Sequence, residues 1–338
     1  MSPAPLDPSA VSTPLTRENW PIAGAMLQFP AVHPDGSRVQ DDSGQAWAAT
    51  FAELADVGFD RVEVNDNWLR IGDLTGERVD ELAEAGRAAN LAPGSVAIVR
   101  SSVTDPEHGE QNLAYSHRTL DSAARLGAGI VSIGFHQALT PAQKQAMWFW
   151  LEPGARDDPD DATHFALVVR RVQELGRHAA DLGLQLTLEM YEDTYLGTAE
   201  SAVRMVTEVG LPNVGLNPDV GNLIRLHRPL VDWAATYAAV LPHANYWHIK
   251  NYSRDEDPAT GAVFSTPAPL ELGLIDYRRV VRQAVALGFT GTFVCEHYGG
   301  DGIGVSAMNR EYLRRILPAT APSTAPATPP AETGHQTP

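Results

Sequence analysis

The feature that most constrains the fold of this chain is a regular alternation of short apolar segments and longer helical segments. The apolar segments are rich in β-branched residues, which is typical of buried strands. The eight predicted strands span residues 22–29, 59–64, 91–99, 128–135, 184–190, 213–218, 244–250 and 291–296. Several helical segments end in a glycine just before the next strand, as helix C-termini favour. This order predicts a parallel β-sheet flanked by helices.

The number of strands separates two α/β architectures. Eight strand–helix repeats predict a (β/α)₈ TIM barrel, whose chemistry lies at the carboxyl ends of the strands. The alternative is a doubly wound sheet with a phosphate loop, but the first strand is followed by no G-x-G-x-x-G motif and the chain has no Walker-type loop. We expect a catalytic barrel over residues 19–317. A flexible segment, 1–18, and a disordered tail rich in Pro, Ala and Thr, 318–338, flank it.

Charge and composition narrow the classes of ligand. The 338 residues include 25 Lys and Arg against 42 Asp and Glu, a formal net charge of −17. Such a surface disfavours nucleic acid, because a phosphate backbone needs a basic footprint. Cys295 is the sole cysteine, which fits a reducing cytoplasm. No apolar stretch has the length of a signal sequence or a membrane span. We expect a cytoplasmic protein that binds a small molecule.

Charged residues end four successive predicted strands. These are Glu189, Asp219, His248 and Glu296. Three carboxylates gathered at one buried place repel one another, and a divalent cation removes that cost. Oxygen ligands with one imidazole suit Mn²⁺ or Mg²⁺, with Zn²⁺, Co²⁺ or Fe²⁺ as alternatives. The sequence therefore predicts one divalent metal ion held by these four residues.

Other strand ends supply candidate substrate contacts. The stretch WHIKNYSR places Lys250 and Arg254 shortly after the predicted metal ligand of strand 7. His136 ends strand 4, and Glu63 ends strand 2 with either a structural or a site role. A long segment follows His136 and carries three aromatic residues that begin with Trp148. This segment is either a packed lid or oligomer contact, or an aromatic platform for a flat or sugar-bearing ligand.

These strand-end residues resemble those of the xylose-isomerase-like TIM barrels, the sugar isomerase/epimerase superfamily. The resemblance covers about residues 20–317 and is most specific in LTLEMYE, NPDVGN, HIKNYSR and GTFVCEH. It implies one divalent metal, usually manganese, on the four residues already identified. It also implies that Arg254, six residues after His248, holds substrate hydroxyls. Where many epimerases have a His three residues after Asp219, this chain has Asn222, a further expected substrate contact.

Two motifs differ from those of simple epimerases. The HIK triplet, with Lys250 two residues after the metal-binding His, resembles inosose-dehydratase-like members. The pairing of His136 with a long following segment resembles the catalytic α-subunit of bacterial C-glycoside deglycosidases. That second resemblance implies a lyase that cleaves the C–C bond of 3-keto C-glycosides with His136 as acid/base. It also implies a small β-subunit as partner.

The shared chemistry is removal of a proton next to a carbonyl group, with the enolate stabilised by the cation. Glu189 and Glu296 are the candidate proton carriers, and Lys250 or Arg254 the candidate oxyanion contacts. Reprotonation gives an isomerase or epimerase, and loss of hydroxide gives a dehydratase. Loss of an aryl carbon leaving group gives C-deglycosylation, which is the preferred interpretation.

Two interpretations come from other classes of protein. An abasic-site endonuclease shares the barrel but needs more metal ligands and a basic surface, which an acidic chain does not offer. A metal-binding protein without catalysis would tolerate replacement of Glu189 and Glu296. We expect an oligomer, with no membrane contact.

Overall fold

The computed structural model describes residues 14–320, in which parallel strands form a barrel surrounded by helices. The strands are β1 (Ile22–Ala25), β2 (Arg61–Asn65), β3 (Ala92–Ile98), β4 (Ile130–Gly134), β5 (Gln185–Glu189), β6 (Val214–Asn217), β7 (Trp247–Ile249), β8 (Asn251–Glu256), β9 (Val263–Ala268) and β10 (Phe293–Cys295). The helices are α1 (Gly44–Asp56), α2 (Gly76–Ala88), α3 (Gly109–Leu126), α4 (Pro141–Gln145), α5 (Ala162–Asp181), α6 (Ala199–Val209), α7 (Gly221–Ile224), α8 (Trp233–Val240), α9 (Tyr277–Ala286) and α10 (Gly302–Ile316).

The sheet confirms the predicted TIM barrel. Its eight parallel strands are ordered β6-β5-β4-β3-β2-β1-β10-β7, and each overlaps one predicted strand. The sequence interpretation did not include β8 and β9, which pair as an antiparallel hairpin directly after β7. This hairpin extends over the carboxyl ends of the strands, where a barrel carries its active site.

The barrel closes between β6 and β7 with fewer backbone contacts than elsewhere. A single parallel bridge joins Leu216 to Ala244, and the Asn245 N–H donates to the Leu216 carbonyl at 3.2 Å. One further bond comes from a side chain, since the His248 N–H donates to Asn217 Oδ1 at 2.7 Å. We call this junction the β6–β7 seam.

Alternation along the strands divides the apolar residues between two layers. Most buried side chains pack between the sheet and the helices. A smaller inner cluster contains mainly short side chains, with Ala23, Ala25, Ile130 and Val294 around Tyr246. Small residues inside the barrel leave room for the polar side chains at its carboxyl end.

Local signals explain where the helices begin and end. Ser43 and Thr75 accept hydrogen bonds from backbone N–H groups at the starts of α1 and α2. Helix α3 ends at Gly127, whose φ of 87° lies in the left-handed region that glycine adopts without strain. Among the described residues, no helix is both long and apolar enough to cross a lipid bilayer.

Most of the two predicted terminal segments lies outside the described part of the chain. The residues that the structure does not describe are 1–13 and 321–338. The described parts of the two ends meet each other. The Arg17 N–H donates to the Pro318 carbonyl at 2.8 Å, and Arg314 Nη1 donates to the Arg17 carbonyl at 2.7 Å. The proposed boundaries 1–18, 19–317 and 318–338 stay predictions.

Candidate active site

The structure brings together the four residues predicted to bind metal. Glu189 ends β5, Asp219 follows β6, His248 is in β7, and Glu296 follows β10. All four are buried, and one ligand atom from each lies within 4.8 Å of the others. These residues are the four-residue cluster. It forms because the carboxyl ends of parallel barrel strands converge on one opening.

His248 faces the cluster with one ring nitrogen. Its Nδ1 lies 3.4 Å from Glu296 Oε2 and 3.6 Å from Glu189 Oε1. The same atom lies 4.0 Å from Asp219 Oδ2. Neither His248 Nδ1 nor Asp219 Oδ1 has a hydrogen-bond partner, although both are buried. Unpartnered donor atoms pointed at one place, in a set of three carboxylates and an imidazole, fit a divalent cation.

Glu63 orients that imidazole from the opposite side. Its Oε2 lies 2.7 Å from His248 Nε2 and accepts a hydrogen bond from the Tyr246 hydroxyl at 2.8 Å. The Tyr246 hydroxyl also lies 2.5 Å from Ser95 Oγ. A carboxylate bonded to the far nitrogen of a metal-binding histidine fixes its tautomer and ring orientation. Glu63 therefore belongs to the site.

Lys250 adds a cation to the four-residue cluster. Its buried Nζ lies 2.5 Å from Asp219 Oδ2 and 2.9 Å from Glu296 Oε2. Burial opposes the charged form, but these carboxylates raise the pKa of Lys250 well above its usual value. A Cβ on Gly221 would lie 2.6 Å from the Lys250 Cγ, so glycine is needed for the lysine to pack here.

The carboxylates respond differently to this environment. Burial raises the pKa of Asp219 to about 7, against the opposing pull of Lys250. Burial also opposes ionisation of Glu296, but Lys250 and His248 outweigh it and hold its pKa at about 2. In Glu189 burial is again outweighed, by two imidazoles, and the pKa lies well below its usual value. Glu189 and Glu296 are therefore ionised at neutral pH.

His136 lies beside Glu189, on the side away from Lys250. Its Nε2 is 3.6 Å from Glu189 Oε1, and its Nδ1 has no hydrogen-bond partner. The imidazole packs edge-on against Tyr191, with 4.2 Å between ring centroids. A Cβ on Gly134 would overlap the His136 ring. The glycine that ends β4 therefore lets this ring fold back toward the cluster.

Asn222 forms its hydrogen bonds with protein groups inside the site. Its Nδ2 donates to Glu189 Oε1 at 3.1 Å and to the Met190 carbonyl at 2.9 Å. Asn222 is 1% exposed, so these bonds fix the Glu189 carboxylate. Its predicted contact with substrate stays a prediction.

Arg254 and Trp148 lie at a distance from the cluster. Arg254 Nη1 donates to the carbonyls of Ile224 and Leu226 at 3.2 and 2.7 Å, and Nε donates to Glu256 at 2.7 Å. Trp148 stacks on Trp150, with ring centroids 5.0 Å apart. Neither residue lines the two cavities at the barrel mouth. Their predicted substrate contacts stay predictions.

Two adjoining cavities open above the cluster. One is lined by Glu189, His248 and Glu296 among others. The second lies beneath the segment that follows β4. Arg100, His136 and Tyr191 line both cavities, so the two cavities are continuous with each other at the barrel mouth.

A buried ion pair supports the aromatic segment that follows β4. Arg225 Nη2 lies 2.7 and 2.9 Å from the two carboxylate oxygens of Glu192. The guanidinium carbon lies 4.8 Å from the ring centroids of both Phe149 and Trp150. The sequence analysis missed this pair, although Glu192 directly follows LTLEMY and Arg225 lies three residues after NPDVGN.

The family follows from the sequence match. Residues 51–316 match the family described as xylose isomerase-like TIM barrel. The chain belongs to this family. No curated protein matches the chain.

Solved structures of similar proteins agree with this family. A xylose isomerase-like TIM barrel protein from Mycobacterium smegmatis, solved in complex with magnesium, is 48% identical. The alignment covers 89% of this chain and 98% of that one, with a TM-score of 0.85.

More distant structures share the fold. The 3-keto-D-glucoside 4-epimerase of E. coli is 16% identical, with a TM-score of 0.60 over 88% of this chain and 99% of that one. The mannonate dehydratase of Streptococcus suis is 12% identical, with a TM-score of 0.62 over 88% and 93%. The narrower resemblance to C-glycoside deglycosidases stays a prediction.

Proposed function

We propose that this chain is a divalent-metal-dependent sugar isomerase or epimerase that removes a proton from the carbon next to a carbonyl group. The observation that carries the proposal is the buried four-residue cluster, with unpartnered ligand atoms facing one point at the barrel mouth. The magnesium in the 48% identical structure supports a hard divalent cation. We expect Mn²⁺ or Mg²⁺, with Co²⁺ and Zn²⁺ as further candidates.

The cation and the protein have separate tasks in this proposal. A cation held by the four-residue cluster would act as a Lewis acid toward the substrate carbonyl. Glu189 and Glu296 are both ionised, so we assign either of them to take the proton from carbon and, once protonated, to return it. Lys250 places a positive charge beside Asp219 and Glu296, and its contact with a developing oxyanion is part of this proposal. Asn222 and Glu63 hold Glu189 and the metal-facing imidazole in place.

His136 is the candidate for a second acid/base group. It lines both cavities and lies beside Glu189, and an imidazole in such a place is a suitable general acid or base toward a substrate.

A C-glycoside lyase is the second candidate function. The second cavity shares His136 with the cavity at the cluster, and it is lined partly by Trp150 and Tyr191, which would suit an aromatic aglycone. In this case the enolate expels an aryl carbon, and His136 protonates it. The small β-subunit, the oligomer and the alternative dehydratase reaction also stay predictions.

Proton exchange in D₂O tests the proposed function directly. The protein would be loaded with Mn²⁺, its metal content measured, and D-fructose and D-psicose followed by NMR for deuterium next to the carbonyl. We expect about one metal per chain and exchange that Glu189→Gln and Glu296→Gln abolish. Glu53→Gln, on the exposed face of α1, is the matched control.

Two results would reject the proposal. Failure to retain Mn²⁺ would remove the metal site. One metal per chain without exchange in either sugar, in a 3-keto C-glycoside or in the acidic sugars D-glucuronate and D-glucose 6-phosphate would favour a metal-binding protein without catalysis.

A further inference from the structure

Arg100 has an unusual backbone conformation at the barrel mouth. It follows β3 with a φ of 63°, in the left-handed region that residues with a Cβ rarely adopt. The preceding peptide is held in place, since the Val99 N–H donates to the buried Asp66 Oδ1 at 2.6 Å. Such a conformation persists where the surrounding structure enforces it, often at ligand sites. Here it places the Arg100 side chain in the lining of both cavities.

The Arg100 guanidinium packs against aromatic side chains and not against a carboxylate. Its carbon lies 4.6 Å from the Phe149 ring centroid and 5.4 Å from that of Tyr191. Nη1 donates to the Gln137 carbonyl at 3.3 Å. No carboxylate within residues 14–320 forms an ion pair with it. Stacking uses the faces of the guanidinium, so its edge stays available for hydrogen bonds in the plane.

The other cations near the mouth are already neutralised or occupied. Arg225 is fully buried and paired with Glu192. Lys250 contacts two carboxylates of the four-residue cluster, and Arg254 donates to backbone carbonyls. Among the described residues that line either cavity, Arg100 is the sole arginine or lysine. An arginine that lines a cavity without a counter-ion can pair with an anionic group of a ligand.

We propose that Arg100 binds an anionic group of the substrate, so that the substrate is a sugar acid or a sugar phosphate. The inference rests on the proposed function and narrows its substrate class. The planar fork of arginine matches a carboxylate or phosphate with two parallel hydrogen bonds. Three members of the four-residue cluster, Glu189, His248 and Glu296, line the same cavity as Arg100, so one ligand at the barrel mouth can contact both. The carbonyl end would lie at the cluster and the anionic end at Arg100.

Paired acidic and neutral probes test this substrate class. Binding to the Mn²⁺-loaded protein would be measured by calorimetry for D-gluconate, D-glucuronate and D-glucose 6-phosphate, against D-glucose and D-fructose. We expect at least one acidic probe to bind about tenfold or more tightly than the neutral sugars. The carboxylate and phosphate arms show which anion fits.

Variants assign the preference to one side chain. Arg100→Gln should weaken binding of the preferred acid about tenfold and leave the neutral sugars unchanged, and Arg100→Lys should restore part of it. Arg177→Gln, on the exposed face of α5, is the matched control. A purely stacking role for Arg100 would change acidic and neutral probes equally.

The outcomes separate this inference from the proposed function. One metal per chain with no preference for any acidic probe, or a preference that survives in Arg100→Gln, overturns the role of Arg100 alone. Absence of metal from the wild type overturns the proposed function instead. If Arg100→Gln does not fold, the wild-type preference and the Arg100→Lys variant still decide.

Discussion

Replacement of Glu63 by glutamine tests how the site holds its histidine. Glu63 is 1% exposed, and the same Oε2 contacts His248 Nε2 and the Tyr246 hydroxyl. Glutamine keeps the shape but removes the charge. No water can replace the carboxylate at this depth, so the His248 ring loses its charged partner.

The size of the effect follows from the charge that is lost. A hydrogen bond to a charged group contributes about 1.5–3 kcal/mol and a neutral one about 0.5–1.5 kcal/mol, and about 1.4 kcal/mol corresponds to a tenfold change in Kd. We therefore expect Mn²⁺ to bind about 10–100-fold more weakly, in agreement with other carboxylates behind metal-binding histidines. Glu63 also helps to raise the pKa of His248, so the variant ring loses its proton more easily. The loss should therefore be smaller at acid pH.

Calorimetric titration with Mn²⁺ at two pH values measures this effect. Glu53→Gln should bind as the wild type does, and circular dichroism should show the same fold in all three proteins. An unchanged Kd in folded Glu63→Gln would refute the argument, because the imidazole would then hold its orientation without the carboxylate.

Three other predictions follow from contacts in and around the site. Burial lowers the pKa of His248, but nearby carboxylates outweigh burial and raise this pKa well above its usual value. Mn²⁺ should therefore displace one proton from His248 and bind up to about tenfold more tightly for each unit of rise in pH. A Kd that calorimetry finds independent of pH would contradict this. Gly134→Ala should displace the His136 ring and slow deuterium exchange about tenfold or more, whereas Gly129→Ala, at an open position, should not. Arg225→Met leaves Glu192 buried without its partner and should destabilise the fold by about 3–5 kcal/mol in urea unfolding; full stability would show that Glu192 finds another partner.

The sequence predicts the barrel because its strand and helix segments are marked by local patterns. Apolar strand segments and glycine-ended helices can be recognised one at a time, and their number then selects the barrel. The four-residue cluster is predictable for a related reason. Parallel strands in a barrel bring their carboxyl ends together whatever the lengths of the intervening helices.

Contacts across the barrel are less accessible from sequence. Glu63 is recognisable as a strand-end carboxylate, but its partner His248 lies 185 residues away in the chain. The left-handed φ of Arg100 has no residue-type signal, since the residue that adopts it is an arginine and not a glycine or asparagine. Arg254 has the expected spacing, yet the chain turns into the β8–β9 hairpin and leads its guanidinium to backbone carbonyls. The turn-forming residues of the segment DPATG, 257–261, are the local signal for that hairpin.

The β6–β7 seam gives the metal site a second task. Asp219 follows one strand of the seam and His248 lies in the other. A cation held by both would therefore act as a cross-link where few backbone hydrogen bonds join the strands. Because the folded form alone presents both ligands, loading with metal should stabilise the barrel. The gain should be concentrated where the circle of strands is otherwise easiest to open. Hydrogen exchange at the Asn245 and His248 amides would then slow on metal loading far more than exchange at the amides between β3 and β4. The cation would thus help to keep the barrel closed.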